Sequence, residues 1–206
     1  MSAAQYLDTD AEKQALQRLS ECGGEYAGSP LLIFDVRSNG GGSDNYIDSW
    51  FRGWIGAESF SRRSAGGARY SQLSCRLHRL YPTERMGTYG FYSSTGTWAE
   101  RSGPTFVLQD KGVASSGETA IRNFHTAADV LFVGGPTLGC SLTPNNFSFY
   151  LPHSGLSCYF GTGLSFDETA ENRDGMGFLP DLWVEPSMSM VLVKRLIAYY
   201  GLNTEQ

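Results

Sequence analysis

The sequence predicts an α/β domain built on a largely parallel sheet. Short apolar runs, of the kind buried on both faces, recur at Leu31 to Phe34, Thr105 to Leu108 and Val130 to Val133. The first two are each followed by a small-residue loop and then by apolar residues at helical spacing. The chain has 206 residues, 41% hydrophobic and 13% aromatic, which suffices for a sizeable core and argues against disorder.

The elements follow in order. Thr9 and Glu12 fit a capping box, and Ala11, Ala15, Leu16 and Leu19 form one helical face ended by Gly23-Gly24. The strand Leu31 to Phe34 leads through Ser38-Asn39-Gly40-Gly41-Gly42 into a helix marked by Tyr46, Ile47, Trp50, Phe51 and Trp54. Residues 56–103 are rich in Ser, Gly, Arg and Tyr and read as an irregular hairpin arm. In it Tyr70 to Tyr81 partly alternates, with Tyr89 to Tyr92 as its pairing partner. After the strand at Thr105, the loop Asp110 to Ser115 precedes a helix marked by Ala120, Ile121, Phe124 and Ala127. The strand at Val130 ends at Gly134-Gly135. A hairpin is expected over Phe147 to Leu151 and Leu156 to Phe160, then a short strand at Leu182 to Val184. A closing helix runs over Met190 to Tyr200, with Gly201 at its C-cap.

Composition excludes several classes. The net charge of -5, without a basic tract, speaks against nucleic acid as a partner. No apolar run is long enough to span a membrane. Cys22, Cys75, Cys140 and Cys158 have no metal-ligand spacing, so no metal is expected, and they leave the redox compartment open. No secretory leader is readable at the N-terminus, which leaves a secreted, extracytoplasmic parent protein open if this start is internal to a longer one, and the oligomeric state is not encoded in any pattern found.

Two strand-to-helix loops are positioned for chemistry, because open α/β sheets bind ligands beyond the carboxyl ends of their strands. In Asn39-Gly40-Gly41-Gly42 a backbone N–H can approach a substrate atom closely. The loop reads as an oxyanion donor, a phosphate cradle or a tight turn. It lacks both nucleotide-binding glycine patterns, so no nucleotide cofactor is expected. In Ala114-Ser115-Ser116-Gly117-Glu118 a serine opens a helix whose free N–H groups and dipole favour a developing oxyanion. The simpler reading makes Ser115 or Ser116 the N-cap and Glu118 the other half of a capping box.

Phe34 to Gly42 resembles the D-x-R-x-N-x-G-G signature of the C-terminal processing (tail-specific) and tricorn-type serine peptidases. Ser115-Ser116-Gly117-Glu118 resembles their Ser-x-x-Glu nucleophile segment. Val133 to Gly139 resembles their V-G-x-x-T-x-G turn, and Gly177 to Val184 their G-x-x-P-D-x-x-V strand. All four occur in the family's order. The resemblance implies a Clp protease/crotonase-like core of β-β-α units and a peptide or unfolded-protein substrate. It makes Ser115 the nucleophile, with the N–H groups of Gly41 and Ser116 as the oxyanion hole. Glu118 matches an acid beside the catalytic pair, and Glu171 and Asp174 fall where the tricorn branch carries an acid. On this reading residues 1–206 form a single peptidase core drawn from a longer protein.

One departure concerns the base. The processing branch activates its serine with a lysine just after the V-G-x-x-T-x-G turn, 25 residues past the serine; Cys140 stands there. A thiol with a pKa near 8.5 is a poor substitute for a desolvated lysine. His125 lies ten residues along the Ser115 helix, roughly 15 Å away, and is expected to pack. His153 falls in a hairpin turn. His78, in the arm, is left as the remaining candidate for a base. The competing reading is a family member that has lost catalysis and binds a peptide or lipid-like ligand.

Overall fold

The computed structural model describes residues 9–57, 60, 62–77, 83–96, 98–100, 103–144, 146–166 and 171–202. Its centre is a four-stranded, all-parallel sheet in the order β1 (Leu32–Asp35), β4 (Thr105–Gln109), β5 (Val130–Gly134), β9 (Leu182–Trp183). Every residue of β4 is buried, as its continuous apolar run requires of a strand packed on both faces. The pleat divides its side chains. Val107 joins one core, while Phe106 and Leu108 join the other.

The first core lies under α2 (Asp44–Ile55) and α4 (Ser116–Phe124). Trp50, Phe51 and Trp54 recur on the buried face of α2. Trp54 meets Phe124 at 5.2 Å between ring centroids, and Phe51 meets it edge-on at 5.4 Å. The opposite core is closed by α5 (Ser189–Tyr200) through Val193 and Ile197. α5 ends, as expected, at Gly201 with φ 63°.

α1 (Asp10–Glu21) carries the anticipated capping box between Thr9 and Glu12. The chain then passes so close to α2 that a Cβ on Gly23 would lie 1.9 Å from the Trp50 carbonyl oxygen. Glycine is required there for backbone contact between the two helices.

The arm differs from expectation. β2 (Arg63–Arg69) pairs antiparallel with β3 (Tyr89–Thr95), and Gln72–Leu77 forms a short helix, α3, where an alternating strand was expected. The sequence does not predict this strand, because Arg-Ser-Ala-Gly-Gly-Ala-Arg has neither alternation nor β propensity. Tertiary pairing on both sides holds it: β3 on one flank and β8 (Gly163–Phe166) on the other. The glycines are needed, since a Cβ on Gly67 would lie 2.7 Å from the Phe91 ring. The hairpin near residue 150 forms as read, with β6 (Asn146–Tyr150) against β7 (Ser157–Gly161).

Candidate active site

β1 and β4 are parallel neighbours, so the loops leaving their carboxyl ends emerge side by side. Three hydrogen bonds latch them. The Ala114 N–H donates to the Asn39 carbonyl (2.9 Å), the Ser116 hydroxyl to the Gly42 carbonyl (2.9 Å), and the Ser38 N–H to Asp110 Oδ1 (2.9 Å). Asp110 Oδ1 also accepts from the Gly112 N–H at 2.9 Å, so one carboxylate braces both loops. Sequence reasoning did not find Asp110. An acid in a polar loop carries no signal until its two partners are known.

Ser115 sits at the meeting point, at φ 51° and ψ -118°, a conformation costing a non-glycine residue on the order of 1–3 kcal/mol. Such strain persists only where the surroundings over-determine it. Here the Ser115 N–H donates to Cys140 Sγ (3.3 Å), and its carbonyl accepts from the Thr119 N–H (3.0 Å). The Ser115 side chain makes no capping hydrogen bond, and Ser116 spends its hydroxyl on Gly42, so neither serine is the side-chain N-cap of α4.

Gly41, at φ 111°, lies directly against Ser115. A Cβ there would stand 2.8 Å from Ser115 Cβ and 3.3 Å from Ser115 Oγ. The Gly41 N–H donates to Asn39 Oδ1 at 3.1 Å, so it must share or release that bond to serve an incoming oxygen. The Ser116 N–H opens α4, where no preceding turn supplies an acceptor. Both serines, with Arg62, Thr119, Cys140 and Ser165, line a polar cavity of about 600 Å³. Arg62 is held by ion pairs to Asp44 (3.7 Å) and Asp48, and by Asn123 Oδ1 at 2.9 Å.

Glu118 is fully buried and does not form the capping box read from the sequence. Its Oε1 accepts from the Thr137 hydroxyl and the Gly139 N–H, both at 2.6 Å, and its Oε2 from the Cys140 N–H at 3.0 Å. The carboxylate therefore fixes the 137–140 turn against α4 and places Cys140 beside Ser115. Gln109 and Thr137 extend this brace to the Phe178 backbone, at 2.8 Å each.

Cys140 sits between polar groups of the turn and of α4. It faces the Ser115 N–H and the Glu118 carboxylate, because Glu118 turns the Cys140 backbone inward. Burial raises its thiol pKa first. The charge and hydrogen bonding of Glu118 and the charge of Asp174 add to this, against an opposing contribution from the Ser115 N–H. Cys140 should therefore alkylate more slowly than free cysteine at neutral pH, becoming reactive only as pH rises above the ordinary thiol range. Iodoacetamide kinetics read by peptide mass spectrometry measure this, and faster-than-free alkylation would contradict it.

Among the remaining candidates, Glu171 is exposed and pairs with Arg173 at 3.2 Å. Asp174 is exposed, with its N–H on Asn172 Oδ1. The structure gives neither a hydrogen bond to Ser115. His125 stacks on Phe132 (4.2 Å) and His153 is exposed in a turn, as the sequence suggested. His78 lies outside the described residues. Among the described residues, no group of His, Cys, Asp and Glu is placed to hold a metal ion, and no helix is long and apolar enough to cross a membrane.

Asp35 and Arg37 bond to one another, Nε to Oδ1 at 2.9 Å and Nη2 to Oδ2 at 2.6 Å, while Arg37 Nη1 donates to the Pro186 carbonyl. The pair ties the end of β1 to the start of α5. Burial raises the Asp35 pKa, but the hydrogen bonds and charge of Arg37 outweigh it, and the carboxyl titrates below its ordinary value. A depressed folded pKa stabilises above the unfolded value, near 3.9, and that stability is lost as pH falls through the folded one. Asp35→Asn should therefore lower stability at pH 7 by under about 1 kcal/mol, because the pair is partly exposed, and with it the melting temperature; the difference should vanish in acid. An unchanged melting temperature at pH 7 would contradict this role.

A family model described as Peptidase family S41 matches residues 3–184. No curated protein matches the chain. Similar folds occur in a lipoprotein from Streptococcus agalactiae (16% identity, 97% of this chain and 65% of that one, TM-score 0.58). They also occur in the photosystem II D1 C-terminal processing protease (18%, 89% and 42%, 0.52) and in mature CPAF (15%, 100% and 51%, 0.64). At these identities the likeness is one of fold. The chain spans 42% to 65% of the length of these structures.

Proposed function

The chain belongs to peptidase family S41, and on that premise we propose that it is the core of a serine endopeptidase acting on extended or C-terminal peptide segments, with Ser115 as nucleophile. One observation carries the reading. A strained serine at a helix N-terminus is pressed against a glycine whose Cβ would displace it. A peptide carbonyl entering the polar cavity beside Ser115 Oγ would present its oxygen to the N–H groups of Ser116 and Gly41. Attack by Oγ forms the C–O bond and moves the carbonyl electron pair onto that oxygen. Preorganised donors aided by the α4 dipole would stabilise it there.

The proton on Oγ needs an acceptor. Among the described residues, no amine, imidazole or carboxylate hydrogen-bonds the Ser115 hydroxyl, and Cys140 at the lysine position is held as a thiol. Without a base the oxyanion site and groove alone leave a residual on the order of 10³-fold over water, so this chain should not measurably cleave casein. An activated ester relaxes the demand, because its leaving group departs without a proton. Incubation with p-nitrophenyl acetate should acetylate Ser115 slowly, and Ser115→Ala should lose that adduct. Identical adducts in both proteins would remove Ser115 from the mechanism. The replacement of lysine by Cys140 favours a second reading, a binding module that keeps the cleft without turnover. Robust casein cleavage would exclude it.

A further inference from the structure

Next to the Ser115 cavity, the arm sheet carries a larger recess of about 800 Å³. Its floor is the small-residue strand β2, where Ala65, Gly66, Gly67 and Ala68 leave the backbone nearly bare. Its walls are aromatic and aliphatic. The Tyr89 and Phe91 rings stack at 6.2 Å with 14° between planes, and Leu164 sits opposite Gly67 on β8. Phe91 is 82% exposed and Leu164 47%, an uncommon outlay of apolar surface.

We infer that this recess receives a large apolar side chain of the peptide whose reacting bond lies at Ser115. The site would thus select substrates carrying an aromatic or branched aliphatic residue away from the scissile bond. This rests on the reading of the Ser115 cavity as the place of a peptide bond. Three features support a peptide as occupant. Tyr92 and Thr143 line both cavities, so the recess adjoins the polar site. The two differ in polarity: the Ser115 cavity is lined mainly by Ser, Thr, Arg and Asp, whereas the recess is mainly Phe, Tyr, Leu, Ala and Gly, with Arg69, Ser93 and Thr162 among them, which matches a ligand with a polar backbone at one place and an apolar side chain at another. The recess is also of ligand-binding size. Gly67 explains why the platform exists: any side chain there would collide with the Phe91 ring.

The test uses Ser115→Ala, so that turnover does not intervene, and ten fluorescein-labelled decapeptides in which one Phe moves through a Ser-Ala background. Anisotropy should show one register binding about ten-fold or more tighter than the all-polar peptide, as expected for one buried aromatic side chain. Adding Phe91→Ser or Leu164→Ser should erase that gain and leave the background affinity unchanged. Both side chains are exposed, so the melting temperature should hold. Equal affinity across all registers would overturn the inference, as would a preference that survives both substitutions. So would a fall in solution mass on Phe91→Ser with peptide binding unaltered, which would make the platform a contact between copies. If a register preference is found but Ser115 proves unreactive, the recess stands and the peptidase reading fails. If Ser115 reacts and no register is preferred, the reverse holds.

Discussion

Cys140→Lys is expected to turn a nearly inert chain into a measurable peptidase. Position 140 already lies beside Ser115, with Cys140 Sγ 3.3 Å from the Ser115 nitrogen, and borders the cavity of about 600 Å³. A lysine placed there has room to bring Nζ to the Ser115 hydroxyl. A general base is worth about 10²- to 10⁴-fold, and that is the gain expected in peptide hydrolysis over the parent chain. The pH dependence follows from the surroundings. Burial favours the neutral amine that can take a proton, whereas the Glu118 carboxylate favours the ammonium. Hydrolysis should accordingly rise toward alkaline pH and plateau once the amine is neutral. Adding Ser115→Ala should abolish the gain. A lysine variant that folds, with its melting temperature kept, and is no more active than the parent would mean that the base of this site lies elsewhere.

Glu118→Ala should be the most destabilising single change in the site. Deleting the carboxylate strands three donors at once: the Thr137 hydroxyl and the N–H groups of Gly139 and Cys140. A buried donor left without a partner costs about 1–3 kcal/mol, so the expected loss is roughly 3 kcal/mol or more. For a domain of this size that corresponds to a melting temperature lower by about 6–12 °C. Glu118→Gln should fall between, because its amide keeps one acceptor oxygen while turning an N–H toward one of the donors. Thermal unfolding of the three proteins ranks them. A melting temperature of Glu118→Ala within about 2 °C of the parent would show that the turn is held by other contacts.

Much of this was legible in the sequence. Strands buried on both faces announce themselves by unbroken apolar runs, and β1, β4 and β5 were placed within a residue or two. The aromatic face of α2 and the capping box of α1 were equally plain. What failed was local reasoning about residues whose role is set by distant partners. β2 is a strand only because β3 and β8 flank it. Glu118 looked like half of a capping box three residues after Ser115, yet it points to a turn some twenty residues away. Asp110 carried no signal, although it braces the two loops, and Thr137 was legible only as part of a turn motif, not as the link from Glu118 to Phe178. Membership in the S41 family is secured by a match over residues 3–184. The roles of Ser115, Gly41 and Ser116 are the part that needs chemistry.

Fluorophosphonate labelling addresses that part most directly. The probe reacts with a serine hydroxyl set in an oxyanion site, displacing fluoride and leaving a covalent phosphonate whose position peptide mass spectrometry can assign. The parent chain and its Cys140→Lys variant would be exposed side by side over a range of pH. An adduct on Ser115 is expected in both, slow and substoichiometric in the parent and at least about 10²-fold faster in the variant. An adduct on any other residue, or stoichiometric labelling of the parent at the variant's rate, would contradict this.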